Sequence, residues 1–475
     1  MTRTPPSLRA LLPVLVIAEI TSSFEISMMY AAMATLLREF GDPAGVGWLI
    51  TAYLLVGSVS AALCSRLGDL FGRRRLALAM LACSLGGSLI SLFSTSLAGL
   101  VAGRAVQGLS AALLPLAVGL VREHLPAPRV PVAIGWVAAM ASFSAGVGIL
   151  LGGVLVDTLG WRWIFGFSAG HALLAGLLVA WKVPRSQTAR GPKPADTGRP
   201  VDLLGGVLYA PAIAAVLWGL SRLKAHGLAD PLTLTLLVGG AFVLALWAGW
   251  EWRHPDPLID VRRVGQRQLG LAMLLMLLFG LGTSQLMLVL MLLAQQPVWT
   301  GVGLGLTATL AGAIKLPSNF MGLVGAPWSG RIAARDGARR AALWGSLVAC
   351  AGWLGLSGWH AAPWQLVGGA LVVTLGGSML FAAVPNLIVE VAPADRTSEI
   401  TGLSQVVRTV GSAVGTQGAS LLLAAWTVSD AAHGAVALPS AQAYLMTFAA
   451  ITACAAAGVV AALALPLRTL RPAAA

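Results

Sequence analysis

Charge is scarce in this sequence. Asp, Glu, Lys and Arg together make up 10% of the 475 residues, against 57% hydrophobic residues and a mean hydropathy of +0.83. That composition excludes an ordinary soluble domain. Cysteine is scarce too: Cys64, Cys83, Cys350 and Cys454 fall within or at the edges of apolar runs without ligand spacing, which argues against a disulfide framework or a metal cluster. No loop is long enough for a soluble domain, and no nucleophile, metal or nucleotide motif is present. Those absences argue against an intramembrane enzyme or a non-transporting receptor, and imply no cofactor. The first apolar run is expected to be a retained helix and not a signal peptide, because Arg3 and Arg9 precede a run that continues to about Leu37 without a clear small-residue cleavage site.

What is present is a series of long apolar runs. A helix needs about 20 such residues to span a bilayer, and fourteen runs qualify, near residues 10–37, 46–66, 75–95, 98–121, 131–156, 161–181, 203–221, 231–250, 268–293, 304–330, 340–359, 364–391, 400–425 and 443–466. The expected fold class is therefore an all-α membrane protein. The net charge of +13 raises the question of nucleic acid, but the basic residues sit in alternate loops. Counted from the N-terminus, 24 of the 31 Lys and Arg lie on one face, and only Arg38, Arg162, Arg222 and Lys224 lie on the other. Arg104, Lys315 and Arg408 fall inside runs. The positive-inside rule then places both termini in the cytoplasm of a multi-pass protein in the inner (plasma) membrane, with lipid and not nucleic acid as its surroundings.

One of the basic loops is duplicated. Ser65-Arg66-Leu67-Gly68-Asp69-Leu70-Phe71-Gly72-Arg73-Arg74-Arg75 returns in weaker form at Gly330–Arg340, with the same Gly-x-Arg-Arg ending. Repeated polar loops between apolar runs point to two related halves, as in an internally duplicated transporter. Leu67, Asp69, Gly72, Arg73 and Arg74 make the loop resemble the one between helices two and three of the major facilitator superfamily. Gly103-Arg104-Ala105-Val106-Gln107-Gly108, in the fourth run, is similar to that family's Arg-x-x-Gln-Gly signature. The copies follow the second and tenth runs, so two helices have been inserted into a six-plus-six plan. With Trp161-Arg162-Trp163-Ile164-Phe165, Asp202-Leu203-Leu204-Gly205 and Pro257-Leu258-Ile259-Asp260, the chain resembles the fourteen-helix drug:proton antiporter branch. The expected organisation is a six-helix bundle over 1–183, a cytoplasmic linker over 184–202, two inserted helices over 203–250, a second linker over 251–267, and a second six-helix bundle over 268–475.

Charges inside apolar runs are costly and mark candidate sites. Glu25, in Phe24-Glu25-Ile26-Ser27, stands where relatives often carry Asp. At 1.5 Å per residue it lies about 22 Å from the basic face, and Arg104 on an oppositely directed run lies about 21 Å from it. The expectation is a proton-coupling group made of Glu25 and Arg104, with Glu19 as the next candidate. Asp69 and Arg73, four apart and able to meet on one helical turn, form an expected gate with Glu123. The resemblance implies that the acid of this loop meets the start of the penultimate helix when the transporter opens outward. Tyr30, Gln107, Lys315, Asn319 and Arg408 are expected to line a substrate cavity, with a Glu19–Lys315 pair possible. Ser144, Gly148 and Gly152 have the spacing of a close helix contact. His171 reads as a buried, hydrogen-bonded histidine, and most of the methionines as filler.

The resemblance implies proton-driven export of a hydrophobic or amphipathic small molecule by a monomer. A transporter dedicated to one metabolite is the other reading, with Glu19, Lys315 and Asn319 as its recognition set. Fold class does not name the cargo.

Overall fold

The apolar runs become fourteen transmembrane helices in a computed structural model that describes residues 8–40, 42–184, 202–255, 257, 260–306, 308–429 and 438–466. The first six are α1 (Leu8–Phe40), α2 (Pro43–Phe71), α3 (Arg73–Phe93), α4 (Leu97–His124), α5 (Val130–Leu159) and α6 (Arg162–Lys182). An inserted pair follows, α7 (Leu203–His226) and α8 (Pro231–Arg253). The last six are α9 (Arg267–Gln295), α10 (Ala308–Asp336), α11 (Ala338–Gly358), α12 (Pro363–Val391), α13 (Thr397–Ala425) and α14 (Ala441–Ala464). Among the described residues, 12 of these helices are long and apolar enough to cross a membrane on composition alone. The other two, α10 and α13, carry Lys315 and Arg408 and are enclosed by neighbours: α10 by α5, α11 and α12, and α13 by α2 and α9. Short 3₁₀ turns interrupt α4 at Leu109–Ala112 and α9 at Thr283–Gln285. The linker expected over 184–202 falls outside the described residues from 185 to 201.

The duplicated loop shows why its glycine recurs. Gly72, between α2 and α3, has φ 102°, and Gly337, between α10 and α11, has φ 91°. Each reverses the chain with a backbone geometry that side chains disfavour, so the arginines can follow at once at the start of the next helix. These positions make α2 the counterpart of α10, and by the same offset α5 the counterpart of α13.

Two seams join the halves, α2 with α13 and α5 with α10, and the internal duplication exchanges them. Glycines make both tight. A Cβ on Gly402 would stand 1.8 Å from the Ala61 carbonyl oxygen, and one on Gly330 would stand 2.6 Å from that of Pro131. Backbones this close are packed by van der Waals contact that larger residues would prevent. Both contacts lie toward the face bearing the basic loops.

The inserted pair rests on one seam only: α7 packs against both α2 and α13. Tyr209, Ile213, Leu217 and Trp247 share a buried cluster with Ala61, Ala62 and Val406, and Trp218 meets Trp48 edge-on at 5.4 Å. Asp230 caps α8 by accepting from the Thr233 hydroxyl and amide. Those two bonds and Arg222 hold its carboxyl down at about 2.

Candidate functional site

A central cavity of about 440 Å³ opens between the halves, walled by α1, α2, α4, α5, α9, α12 and α13. Its wall is mixed. Phe279, Phe381 and Ile26 provide apolar surface, and Ser22, Ser58, Ser142, Ser378 and Thr409 provide hydroxyls. These hydroxyls donate to main-chain carbonyls of their own helices and so keep lone pairs for the cavity. Glu19 lies in the wall, and no described residue bonds its Oε2. Arg408 also lies in the wall, with its Nε donating to Gln405 Oε1 at 3.0 Å and its guanidinium 5.7 Å from the Phe381 ring centre.

Three other residues expected in this cavity, Tyr30, Gln107 and Asn319, lie elsewhere. Tyr30 is one turn beyond Ile26 on α1 and is 52% exposed, past the end of the wall. Gln107 is fully buried and takes part in the Arg104 cluster. Asn319 sits at the α5–α10 seam against Gly146. The side chain of Lys315 lies outside the described residues, and with it the expected pair to Glu19.

Beside the cavity is a buried polar cluster. Glu25 accepts from Ser84 and Ser110, each at 2.5 Å, one hydroxyl per carboxylate oxygen. Arg104 stands at the same depth, as expected, yet its Nη1 donates to the main-chain oxygen of Glu25 at 3.0 Å and not to the carboxylate. It also reaches the Leu49 carbonyl at 3.0 Å and Gln107 Oε1 at 2.9 Å, and lies 4.4 Å above the Tyr53 ring centre. Gln107 in turn donates to Ser88 at 2.7 Å. The arginine thus ties α1, α2 and α4 together through backbone acceptors, leaving the carboxyl to the hydroxyls. Tyr53 joins cluster to cavity: its ring lines the cavity, and its hydroxyl lies 3.3 Å from Ser110 Oγ.

Small residues on α5 let α1 approach this cluster. A Cβ on Gly148 would meet Ser27 at 2.8 Å, and one on Gly152 would meet the Met28 backbone at 2.7 Å. Ser144, fully buried, bonds back to Met140 of its own helix. His171 bonds the Ile17 carbonyl at 3.0 Å.

At the basic face the expected acid–base set is assembled and extended. Arg73 Nε donates to Asp69 at 2.7 Å and to Ser398 at 3.0 Å. Its Nη1 reaches Glu123 at 3.3 Å and its Nη2 the Ala394 carbonyl at 2.5 Å. Asp69 accepts from the Glu399 main-chain N–H at 2.9 Å. Because α13 has no side-chain cap of its own, Asp69 serves as that cap from the other half, where a helix N-terminus favours negative charge. Arg122 adds bonds to the Ala392 and Pro393 carbonyls and to Thr397.

The Glu399 carboxylate was not singled out in the sequence, and it is the hub of this face. It pairs with Arg66 and Arg396, both at 3.4 Å, and accepts from the Asp260 main-chain N–H at 2.9 Å. The segment following the inserted pair is therefore bonded to the start of α13. The second copy of the loop is wired within its own half: Glu390, at the position on α12 that corresponds to the end of α4, accepts from Ala338 N at 3.0 Å.

The sequence pattern of the Major Facilitator Superfamily matches residues 15–416. The chain belongs to that superfamily. Among curated proteins, this major facilitator is 26% identical over 348 residues to the Multidrug resistance protein B homolog of Mycobacterium tuberculosis, covering 71% of this chain and 61% of that protein. It is 30% identical over 392 residues to the Tetracenomycin C resistance and export protein of Streptomyces glaucescens, covering 80% and 69% respectively. The match thus spans about three fifths of the Mycobacterium protein's length. Among solved structures, the human organic anion transporter MFSD10 superposes with a TM-score of 0.65 at 16% identity, over 97% of this chain and all of that one. The proton:xylose symporter XylE superposes at 0.62, also at 16% identity, over 97% and 96%. Both show the shared fold.

Within that family the partners sequence reasoning missed are mostly hydroxyls. Ser84, Ser88, Ser110 and Tyr53 sit in runs where serine is common, and only their proximity to Glu25 and Arg104 sets them apart. Glu399 had a readable signal: an acid in the first turn of a helix, next to Arg396 and opposite Arg66.

Proposed function

We propose that the chain is a proton-coupled exporter of hydrophobic or amphipathic small molecules, working by alternating access as a monomer in the inner (plasma) membrane, both termini cytoplasmic. The observation that carries this reading is the position of Tyr53, whose ring borders the cavity while its hydroxyl leads through Ser110 to Glu25. A carboxyl sealed from solvent is then two side-chain contacts from the substrate space. Exchanging serine hydroxyls for water as the cavity reopens changes a carboxyl's affinity for a proton, and that is the step a pH gradient can drive. The names of the Streptomyces and Mycobacterium relatives support drug-like cargo.

The assembly of Asp69, Arg73, Glu123 and Glu399 supports an outward-open state, closed at the cytoplasmic face. In this reading the bundles 1–183 and 268–475 rock about the two seams, while 184–202 and 251–267 link them to the inserted pair 203–250. Turning inward breaks the bonds from Asp69 and Arg73 to α13.

The test uses inside-out vesicles with an imposed acid interior and three dyes, rhodamine 123, fluorescein and Nile red. At least one dye should accumulate uphill, and collapsing the gradient should release it. Glu25→Gln, which mimics the protonated carboxyl, should retain dye binding and abolish accumulation. Accumulation by Glu25→Gln equal to wild type would move the carrier to another group, with Glu19 next.

A further inference from the structure

We infer that the cargo of this cavity is an aromatic organic anion, docked by Arg408 and Gln405 on α13 against the rings of Phe381 and Phe279. The inference rests on the reading of the cavity as the cargo site and names the charge of what enters it.

The wall on α13 has more donors than acceptors. An arginine side chain donates only, so Gln405 must turn its carbonyl oxygen toward Arg408 Nε, as it does at 3.0 Å. That orientation commits the amide's acceptor and leaves its Nε2 buried without a partner among the described residues. The remaining guanidinium donors of Arg408 form no ion pair with a described carboxylate, and beyond Gln405 the recorded neighbour of its head group is the Phe381 ring at 5.7 Å. Gln405 is 6% exposed, so water does not offset the deficit freely. Two donor groups one helical turn apart, both in the cavity wall, call for a ligand that brings oxygen acceptors. A carboxylate or phenolate meets a guanidinium fork in matched geometry.

The rest of the cavity fits the same ligand. Phe381 and Phe279 face it from α12 and α9 and suit a flat ring system. The wall hydroxyls already donate to their own helices and offer lone pairs to hydroxyl groups on the cargo. Glu19 is the one acid in the described wall. Its Oε2 accepts no hydrogen bond from a described residue, whereas Arg408 keeps its charge at every working pH.

The test measures equilibrium binding to the purified full-length protein in detergent, with no gradient present. Fluorescein and rhodamine 123 share a xanthene core and differ in charge, so their comparison isolates the sign. Wild type should bind fluorescein at least tenfold more tightly than rhodamine 123. Arg408→Gln should erase that preference, weakening fluorescein tenfold or more and leaving rhodamine 123 unchanged or tighter, which also shows that the variant is folded. Arg408→Lys should keep the preference in reduced form. A wild type that prefers rhodamine 123, or an Arg408→Gln protein with an unchanged ratio, would overturn the inference. Binding that follows this pattern without gradient-driven accumulation in vesicles would refute proton antiport and leave the anion site standing. Accumulation of rhodamine 123 alone would do the reverse.

Discussion

Ser110 stands between two groups that each have another partner, and its single hydroxyl proton can serve only one of them at a time. It bonds Glu25 Oε2 and lies beside the Tyr53 hydroxyl, which itself donates to the Ser22 carbonyl at 2.9 Å. Ser110→Ala should therefore break the link from cavity to carboxyl while leaving Arg104 and its backbone bonds in place. The expected stability loss is about 1 kcal/mol, typical for one hydrogen bond, with gradient-driven accumulation slowed several-fold and dye affinity unchanged. Thermal unfolding and initial accumulation rates measured on the same preparation separate the two effects; a purely structural serine would change only the first. Asp69 makes a second prediction at this scale. Asp69→Asn can still accept from Glu399 N but loses the charge that pairs with Arg73 and complements the start of α13. A bias of about 1.4 kcal/mol shifts a two-state population tenfold, so labelling of a cysteine placed in the cavity should become accessible from the cytoplasmic side. Unaltered labelling with normal flux would remove Asp69 from the gate.

At the scale of helices, the seams make the sharper prediction. Gly402 faces the Ala61 carbonyl so closely that Gly402→Ala cannot be accommodated without parting α2 from α13. Overpacking of this kind costs about 1–3 kcal/mol, and here the loss falls on the state in which that seam is shut. The variant should favour the inward-open form and lose transport in proportion, while Gly47→Ala, with open space around its Cβ site, should match wild type in the same labelling assay. How legible these elements were in the sequence follows from the same physics. Helix positions could be read because the hydrocarbon core demands uninterrupted apolar length, and Arg104, Glu25 and Arg408 stood out because charge there is rare. The duplicated loop exposed the insertion because its two copies kept Gly72 and Gly337, whose backbone conformation leaves few alternatives. What could not be read was direction. That Arg104 bonds the Glu25 carbonyl and not its carboxylate depends on rotation of α1 about its axis, and main-chain acceptors leave no mark on composition. Tyr30 failed as a cavity residue for a related reason: depth along a run can be counted, but where a cavity ends cannot.

Over the whole molecule, Glu399 joins three parts of the chain that are distant in sequence: Arg66 on α2, Arg396 before α13, and Asp260 after the inserted pair. If the gate opens by separating α2 from α13, the segment around Asp260 has to follow one side or let go. Glu399→Gln should weaken the arginine pairs while keeping an acceptor for Asp260 N, raising cytoplasmic access to a cavity cysteine by several-fold. Deleting the charge on the other side, with Arg66→Gln, should shift access in the same direction, and adding it to Glu399→Gln should change little, since the Arg66–Glu399 pair is already lost. The inserted helices bear on the surrounding membrane as well. They roof the α2–α13 seam, while the α5–α10 seam has no such cover among the described residues. The duplication made the two seams alike, but the insertion covers only one of them, so the two flanks of the molecule present different surfaces to the surrounding lipid.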